Sequence, residues 1–382
     1  MTYLDHAATS WPKPPAVLAA MREMIEESGG NPGRSGHRLA MKAGETVYAC
    51  RENLASLFGV FDPLRICFTS NATESLNLAI KGSLEPGDHV VFSAMEHNSV
   101  WRPLRELERR GVCISMAPAG PDGIVHCDSI VSQLRPNTKL IALIHASNVN
   151  GALNPVEEVG HIARERNVRF LLDAAQTAGV VPIDVEAMNI DLLAFPGHKG
   201  LLGPQGTGGL YVRDSIQLEP LKHGGTGSES ASPMQPEFAP DRYESGTLNT
   251  PGIAGLNEGV KYLLRQGVTE IRRRERALTE RLLGGLAELQ RLHVYGPANP
   301  GERTGVISFN IEGRDPVLVA GDLDRTCDIA CRAGLHCAWL AHRTQGTDQT
   351  GTVRFSLGAL STEQDVDAAL AAVRILAQKG KR

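Results

Sequence analysis

The chain has 382 residues, of which 42% are hydrophobic and 21% charged, and a formal net charge of −4; that length calls for a large domain plus a smaller one rather than a single core. The mild acidity argues against a nucleic-acid or anionic-membrane surface, both of which favour a basic face, and no apolar run reaches the roughly 18 residues that a membrane span needs. The opening MTYLDHAATSW has neither the basic start nor the apolar stretch of a secretion signal, and the 7 cysteines are scattered, so a cytoplasmic protein with reduced thiols is expected.

From about residue 65 to 215, short apolar runs alternate with helical patterns. RICFTS (65–70) leads into the helical ATESLNLAIKG, and HVVFSAM (89–95) into VWRPLRELERRG. LIALIHAS (140–147) is followed by PVEEVGHIARERN, then by VRFLLDAAQ (168–176) and DLLAFPGHKG. Strands apolar on both faces and alternating with helices predict an α/β domain with a largely parallel sheet covered on both sides. A break falls near Thr250, read as a helix cap with Pro251 at the first helical position. A long helical stretch follows as far as Leu289. Its basic cluster of Arg272, Arg273, Arg274 and Arg276 reads as a solvated helix face. GVISFNIEG (305–313) and TVRFSLG (352–358) read as strands of a second sheet. The last helix is capped by Ser361 or Thr362 and buries Val366, Ala369, Leu370, Val373 and Leu376 at helical spacing. The expected division is a large domain over 16–250 and a small α+β domain made of 1–15 and 251–382.

The polar residues at the strand ends carry the chemistry. Asp173 closes one apolar strand, and Lys199 follows the next after a Gly and a His. A buried strand-end carboxylate is costly unless a cation or strong donor meets it. An Asp and a Lys on successive strand ends suit pyridoxal phosphate (PLP), whose pyridinium nitrogen pairs with the Asp while the Lys forms the Schiff base. A phosphate would sit at the start of the helix in TSNATESLN, where Thr69 to Asn71 form the turn. His97 and Asn148 lie just past two further strands. Cys337 in RAGLHCAW precedes Arg354, an arginine on a strand that would fork onto a substrate carboxylate. The glycines of GPQGTGG (203–209) match neither nucleotide-binding loop. Taken singly, each residue has a plain structural explanation.

Together the blocks YLDHAATSWPKPP, NPGRSGH, NATESLN, MEHNSV, HASNVNG, DAAQ, GHKG, ESGTLNTPGI, RAGLHCA and VRFSLG resemble the class V aminotransferase family. The chain looks most like its cysteine desulfurases, and among them the short-loop group. That resemblance implies a fold-type I PLP enzyme, aspartate aminotransferase-like, with a mostly parallel mixed sheet in its large domain. It implies that Lys199 binds PLP, that Asp173 meets the pyridine nitrogen, and that Gln176 and Asn148 sit near the phenolic oxygen. His97 would stack on one ring face and Ala175 lie on the other. Ala72, through its backbone, Thr73 and His198 would hold the phosphate. Thr247 would reach the phosphate of a neighbouring subunit, implying a homodimer. Arg354, with Asn148, would bind the substrate carboxylate, and Cys337 would accept sulfur from L-cysteine as a persulfide, for iron–sulfur clusters or another acceptor protein. His336, Arg332 and the cofactor phosphate are the candidates to modulate the Cys337 thiol, and the sequence does not rank them.

Two positions depart from the family pattern. Pro196 stands where a Ser or Thr phosphate ligand is usual, and Trp339 where a Pro is common. Selenocysteine lyase chemistry on L-selenocysteine uses the same residues, and a transamination or elimination with Cys337 idle is the third reading. A zinc site built from Cys327, Cys331, Cys337 and His342 would need an unusual C-x3-C-x5-C-x4-H spacing, so no metal is expected.

Overall fold

The computed structural model describes residues 1–33 and 35–378; Arg34, within the NPGRSGH block, lies outside them. The elements in chain order are β1 (Thr2–Tyr3), α1 (Pro15–Glu27), α2 (Arg38–Phe58), β2 (Ile66–Thr69), α3 (Ala72–Ser83), β3 (His89–Ser93), α4 (Asn98–Glu108), β4 (Cys113–Ala117), α5 (Cys127–Val131), β5 (Thr138–Ile144), α6 (Val156–Glu165), β6 (Arg169–Asp173), β7 (Leu192–Pro196) and β8 (Gly208–Val212). They continue with α7 (Thr250–Gln266), α8 (Val268–Ala287), β9 (Leu292–Tyr295), β10 (Val306–Ile311), α9 (Pro316–Cys327), β11 (Ile329–Ala330), β12 (Arg332–Gly334), α10 (Trp339–Thr344), β13 (Thr352–Ser356) and α11 (Glu363–Gln378).

Seven strands form the large sheet in the order β2-β8-β7-β6-β5-β3-β4. Only β8 runs against its neighbours, pairing antiparallel with both β2 and β7. The strand period of two divides the side chains between two cores. Ile141, Leu143, Phe170 and Leu172 face α2, α6 and α7 on one side. Leu140, Ala142 and Leu171 face α3 and α4 on the other. This two-faced burial is why β3, β5, β6 and β7 read as near-continuous apolar runs, and it bears out the expected mostly parallel mixed sheet.

A second sheet, β12-β13-β10-β9, is antiparallel throughout. Its core of Ile307, Phe309, Val353 and Phe355 is covered by Leu282, Val319, Val366, Val373 and Leu376. Of the face expected on the last helix, Leu370 alone is only partly buried.

Two local expectations change and one is narrowed. The helix after Thr250 is capped by Asn249, whose side chain accepts from the Gly252 amide at 3.1 Å, so Thr250 is already helical. The long helical stretch is two helices, because Gly267 takes φ 79°, a conformation a helix cannot continue through. Helix α7 packs on α1 and α2 and shares the core of the large sheet, as do Ile271, Ala338 and Ala341. At the last helix, Thr362 is the cap, its hydroxyl accepting from the Asp365 amide at 3.3 Å. Of the α8 arginines, Arg273 and Arg274 are exposed and pair with Glu270 on the expected solvated face, whereas Arg272 turns inward, pairing with Glu275 and donating to the Gly301 and Arg303 carbonyls at 3.3 and 2.7 Å. No described helix is long and apolar enough to cross a membrane.

Strand β2 is an edge, and its outward backbone groups are met by a buried ion pair. Arg51 donates to the Ile66 carbonyl, Glu244 accepts from the Phe68 amide at 2.5 Å, and the two side chains meet at 2.5 Å. Removing one partner strands a buried charge. Arg51→Ala is therefore expected to lower the free energy of unfolding by about 3–5 kcal/mol, read from urea denaturation against wild type.

Candidate active site

Strands β6 and β7 are parallel neighbours, with Asp173 paired to Ala194, so their C-terminal ends lie side by side. Asp173 is buried, and its Oδ1 accepts from the Ala175 amide at 2.9 Å. Burial pushes its carboxyl up to about 6 against the pull of that amide and of Lys199. Lys199 follows β7 through Gly197 and His198. Burial brings its amine down to about 8; Arg354 adds to the effect and Asp173 opposes it. A carboxylate and an amine, each with its charged form disfavoured by burial, thus act on one another electrostatically.

Two helix starts open onto the same place. Asn71 caps α3 by accepting from the Glu74 amide at 2.9 Å, which leaves the Ala72 and Thr73 amides without an intrahelical acceptor. The Thr73 hydroxyl bonds that of Ser99 at 2.8 Å, and the Ser99 hydroxyl lies 2.9 Å from His97 Nδ1. His97 caps α4: its Nδ1 accepts from the Ser99 amide at 3.1 Å. The ring proton therefore sits on Nε2. Burial, with Lys199 next, holds this imidazole down to about 3, so it is neutral at physiological pH. Strand β8 runs beneath the start of α3, and a Cβ at Gly208 would lie 2.8 Å from the Asn71 backbone. The last two glycines of GPQGTGG thus belong to a strand.

The N-terminal segment closes one wall. Gln176 Nε2 donates to the Ala7 carbonyl at 3.1 Å, and His198 Nδ1 meets Thr9 Oγ1 at 3.1 Å. Lys13 donates to the His198 carbonyl at 2.7 Å, and burial lowers its amine to about 8. His198 is lowered to about 4 by burial and then by Lys199 and Lys13.

The small sheet supplies the opposite wall. Arg354 on β13 is 1% exposed; it donates to the Asn148 carbonyl at 2.9 Å and to Asp5 Oδ1 at 2.8 Å. Arg332 is its cross-strand partner on β12 and donates to Cys337 Sγ at 3.4 Å. Cys337 is exposed. It and His336 both take left-handed backbone angles (φ 58° and 49°), which non-glycine residues adopt only when held there. Asn148 Nδ2 holds the His336 carbonyl at 2.7 Å, and the Asn98 amide holds that of Cys337 at 2.9 Å. His336 is pushed down to about 2 by burial and then by Arg354, so Arg332 is the cation at the sulfur.

Lys199 thus feels the charges of Asp173, Arg332 and Arg354, and His97 those of Lys199, Arg332 and Arg354; Thr73 reaches His97 through Ser99, Asn148 bonds Arg354 and Cys337 bonds Arg332, whereas Gln176 and His198 bond the N-terminal segment. Thr247 stands apart: it is exposed, bonds Asn31 at 3.4 Å, and lines a groove with Ser70, Glu74 and Lys222. Pro196 ends β7 opposite Gly208. Sequence reasoning gave no role to Asp5, Lys13 or Ser99. The first two lie in the YLDHAATSWPKPP block, and their partners become visible only once the chain is folded. Among the described residues, no three His, Cys, Asp or Glu side chains gather as a metal site, Cys327, Cys331, Cys337 and His342 included.

Pyridoxal phosphate fits this set. An acidic residue waits for a pyridinium, a depressed lysine amine for an aldehyde, and two free helix amides with a hydroxyl pair for a phosphate. Asn148 Oδ1 and Arg354 Nε are buried without partners among the described residues. The fold and these residues define a fold-type I PLP enzyme.

A family model described as Aminotransferase class-V matches residues 2–369. The chain belongs to that family, whose members depend on PLP. It is 36% identical to a probable cysteine desulfurase of Methanothermobacter thermautotrophicus, over 95% of this chain and 92% of that one. It is 34% identical to cysteine desulfurase IscS of Glaesserella parasuis, over 96% and 90%. The apo structure of a cysteine desulfurase from Thermococcus onnurineus superposes with a TM-score of 0.93 at 35% identity, covering 98% of this chain and 94% of that one. The Escherichia coli cysteine desulfurase CsdA in its S-sulfonic acid form gives 0.87 at 29% identity, over 97% and 93%.

A neutral amine attacks an aldehyde and an ammonium does not. Covalent uptake of PLP by the cofactor-free protein is therefore expected to quicken as pH rises through the Lys199 value of about 8 and to level off above it. Borohydride trapping followed by peptide mapping should place the label on Lys199, and Lys199→Ala should carry none.

Proposed function

We propose that this protein is a cysteine desulfurase that converts L-cysteine to L-alanine and takes the sulfur onto Cys337 as a persulfide. The observation that carries the reading is the setting of Cys337: an exposed thiol, bonded by Arg332 on a turn that Asn148 pins, and electrostatically coupled to Arg354, whose charge also acts on Lys199.

Lys199 would carry the cofactor, with Asp173 at its ring nitrogen, Gln176 and Asn148 near its phenolic oxygen, and His97 and Ala175 on its two faces. Ala72, Thr73 and His198 would hold the phosphate, and Ser99 orients the Thr73 hydroxyl. When bound, PLP supplies an electron sink that weakens bonds at the substrate α-carbon and labilises the β-carbon–sulfur bond. Arg354 and Asn148 orient the α-carboxylate. Lys199 Nζ takes the α-proton and returns it during alanine formation. The Cys337 thiolate forms a new S–S bond as the substrate β-carbon–sulfur bond breaks. The β-carbon is reduced while the two sulfurs are oxidised, so L-cysteine and one protein thiol yield L-alanine and one persulfide without an external oxidant.

The bonds that pin residues 336 and 337 favour an acceptor protein that docks at the thiol over a long swinging loop. Iron–sulfur cluster assembly is one destination for that sulfur. A homodimer is supported by Thr247, which lies outside its own chain's site, and by exposed Leu18, Ile25, Met41 and Tyr48 on α1 and α2. Seven free cysteines suit a reducing cytoplasm.

Alanine formation from L-cysteine and from L-selenocysteine tests the reading. Cys337→Ser is expected to keep the visible PLP band and lose at least ~100-fold of its L-cysteine activity, the scale on which removal of a nucleophile is felt. Undiminished activity would overturn the persulfide role; loss with L-cysteine alone would identify shared lyase chemistry.

A further inference from the structure

A second carboxylate already occupies the arginine that substrate needs. Arg354 is buried against β12 and β10, with Arg332 and Ser308 as its cross-strand neighbours. One terminal nitrogen, Nη1, donates to the Asn148 carbonyl at 2.9 Å. The other, Nη2, donates to Asp5 Oδ1 at 2.8 Å. Nε has no partner among the described residues. Nε and Nη2 lie on the same edge of a guanidinium, and that edge is one of the two forks onto which a carboxylate docks with both oxygens. Here the edge is half used, by a single oxygen of Asp5.

The charges around it are uneven. Arg332, Arg354 and Lys199 bring three basic groups, and Asp5 and Asp173 are the carboxylates that act on Lys199. Asp173 faces the ring-nitrogen end of the proposed cofactor site, so Asp5 is the counter-ion on the substrate side. Its backbone is fixed. Strand β1 pairs with β11, the Ser356 amide donates to the Leu4 carbonyl at 2.8 Å, and the Ala7 amide donates to Ser356 Oγ at 2.9 Å. Only the Asp5 side chain is free to turn away, and it is partly exposed, whereas the guanidinium is not.

We infer that Asp5 is a positioning residue that holds the Arg354 fork while the site is empty and yields Nη2 when an amino-acid α-carboxylate takes both Nε and Nη2. This deepens the proposed reading of the site. It makes Asp5 an internal competitor for carboxylates: it keeps a buried guanidinium paired between turnovers and weakens the binding of α-carboxylates without touching the reacting sulfur.

The test uses the holoenzyme and L-alanine, a carboxylate-bearing amino acid with no sulfur, so it does not depend on desulfuration. L-alanine and ethylamine, which lacks the carboxylate, are titrated against wild type, Asp5→Asn and Arg354→Lys while the visible spectrum of bound PLP is followed. Asp5→Asn is expected to bind L-alanine about five- to tenfold more tightly, the scale by which a charge-assisted hydrogen bond exceeds a neutral one. Its affinity for ethylamine should not change, and its effect on L-cysteine turnover should fall on KM. Arg354→Lys should bind L-alanine more weakly. Unchanged or weaker L-alanine binding by Asp5→Asn, or equal tightening for ethylamine, overturns the inference. A crystal structure of the wild type with L-alanine gives an independent check if the variant does not fold. The Asp5–Arg354 bond should be open there, and an intact bond with the substrate carboxylate placed elsewhere overturns the inference. Failure of these tests leaves the Cys337→Ser outcome untouched, so the two readings fall separately.

Discussion

The cost of burying charge at the ends of parallel strands organises this molecule. Asp173 ends β6 and Lys199 follows the end of β7, and these two strands run parallel in adjacent positions and are apolar on each face. Neither group keeps its ordinary proton affinity there: the acid is held up to about 6 and the amine down to about 8. The sheet that makes the pocket dry also makes it unfavourable until something pairs with both groups. A cofactor with a basic ring nitrogen at one end and an aldehyde at the opposite ring position would meet both penalties in one binding event. Stability and cofactor binding are therefore linked through the same two side chains.

The remaining walls come from parts of the chain remote from that sheet. Strands β12 and β13 bring Arg332, Arg354 and the turn of Cys337 across from the small domain. Residues 5 to 13 lie between the two, bonding Arg354 through Asp5, Gln176 through Ala7, and His198 through Thr9 and Lys13. The N-terminal segment thus ties Arg354 of the small sheet to Gln176 and His198 beyond the ends of β6 and β7. Its fit is close: a Cβ at Gly358 would lie 2.4 Å from the His6 ring.

Much of this was legible in the sequence where one local pattern had one physical meaning. Strands β3, β5, β6 and β7 were readable because burial on both faces demands uninterrupted apolar residues. The start of α3 was readable because a turn followed by an amphipathic run marks a helix end. Strand β8 was not: its two glycines exist for close approach to Asn71 and to the Phe195 ring, 2.5 Å from a Cβ placed at Gly209, and glycines otherwise signal a loop. The break at Gly267 was hidden inside a continuous helical pattern, since a single glycine leaves the apolar spacing on either side intact. Asp5 carried no local signal because its partner is 349 positions away. His97 and Ser99 show the middle case: the histidine could be placed at a strand end, but its tautomer depends on a backbone amide two residues on.

That tautomer bears on how the pocket distributes charge. His97, His198 and His336 are all depressed far below neutrality, first by burial and then by the lysine and arginines around them. Had any of the three stayed cationic, the pocket would hold a further positive charge beside Lys199 or Arg354, and the lysine amine would be held still lower. As neutral rings they fill space, cap a helix or hold a turn, and the positive field is left to Arg332 and Arg354 at the small-domain wall. On the proposed assignment, a substrate carboxylate would be drawn to the arginines beside Cys337 and the cofactor phosphate to the amides at the start of α3, so two anionic groups would be held by different means: one by guanidinium charge, the other by helix N–H donors.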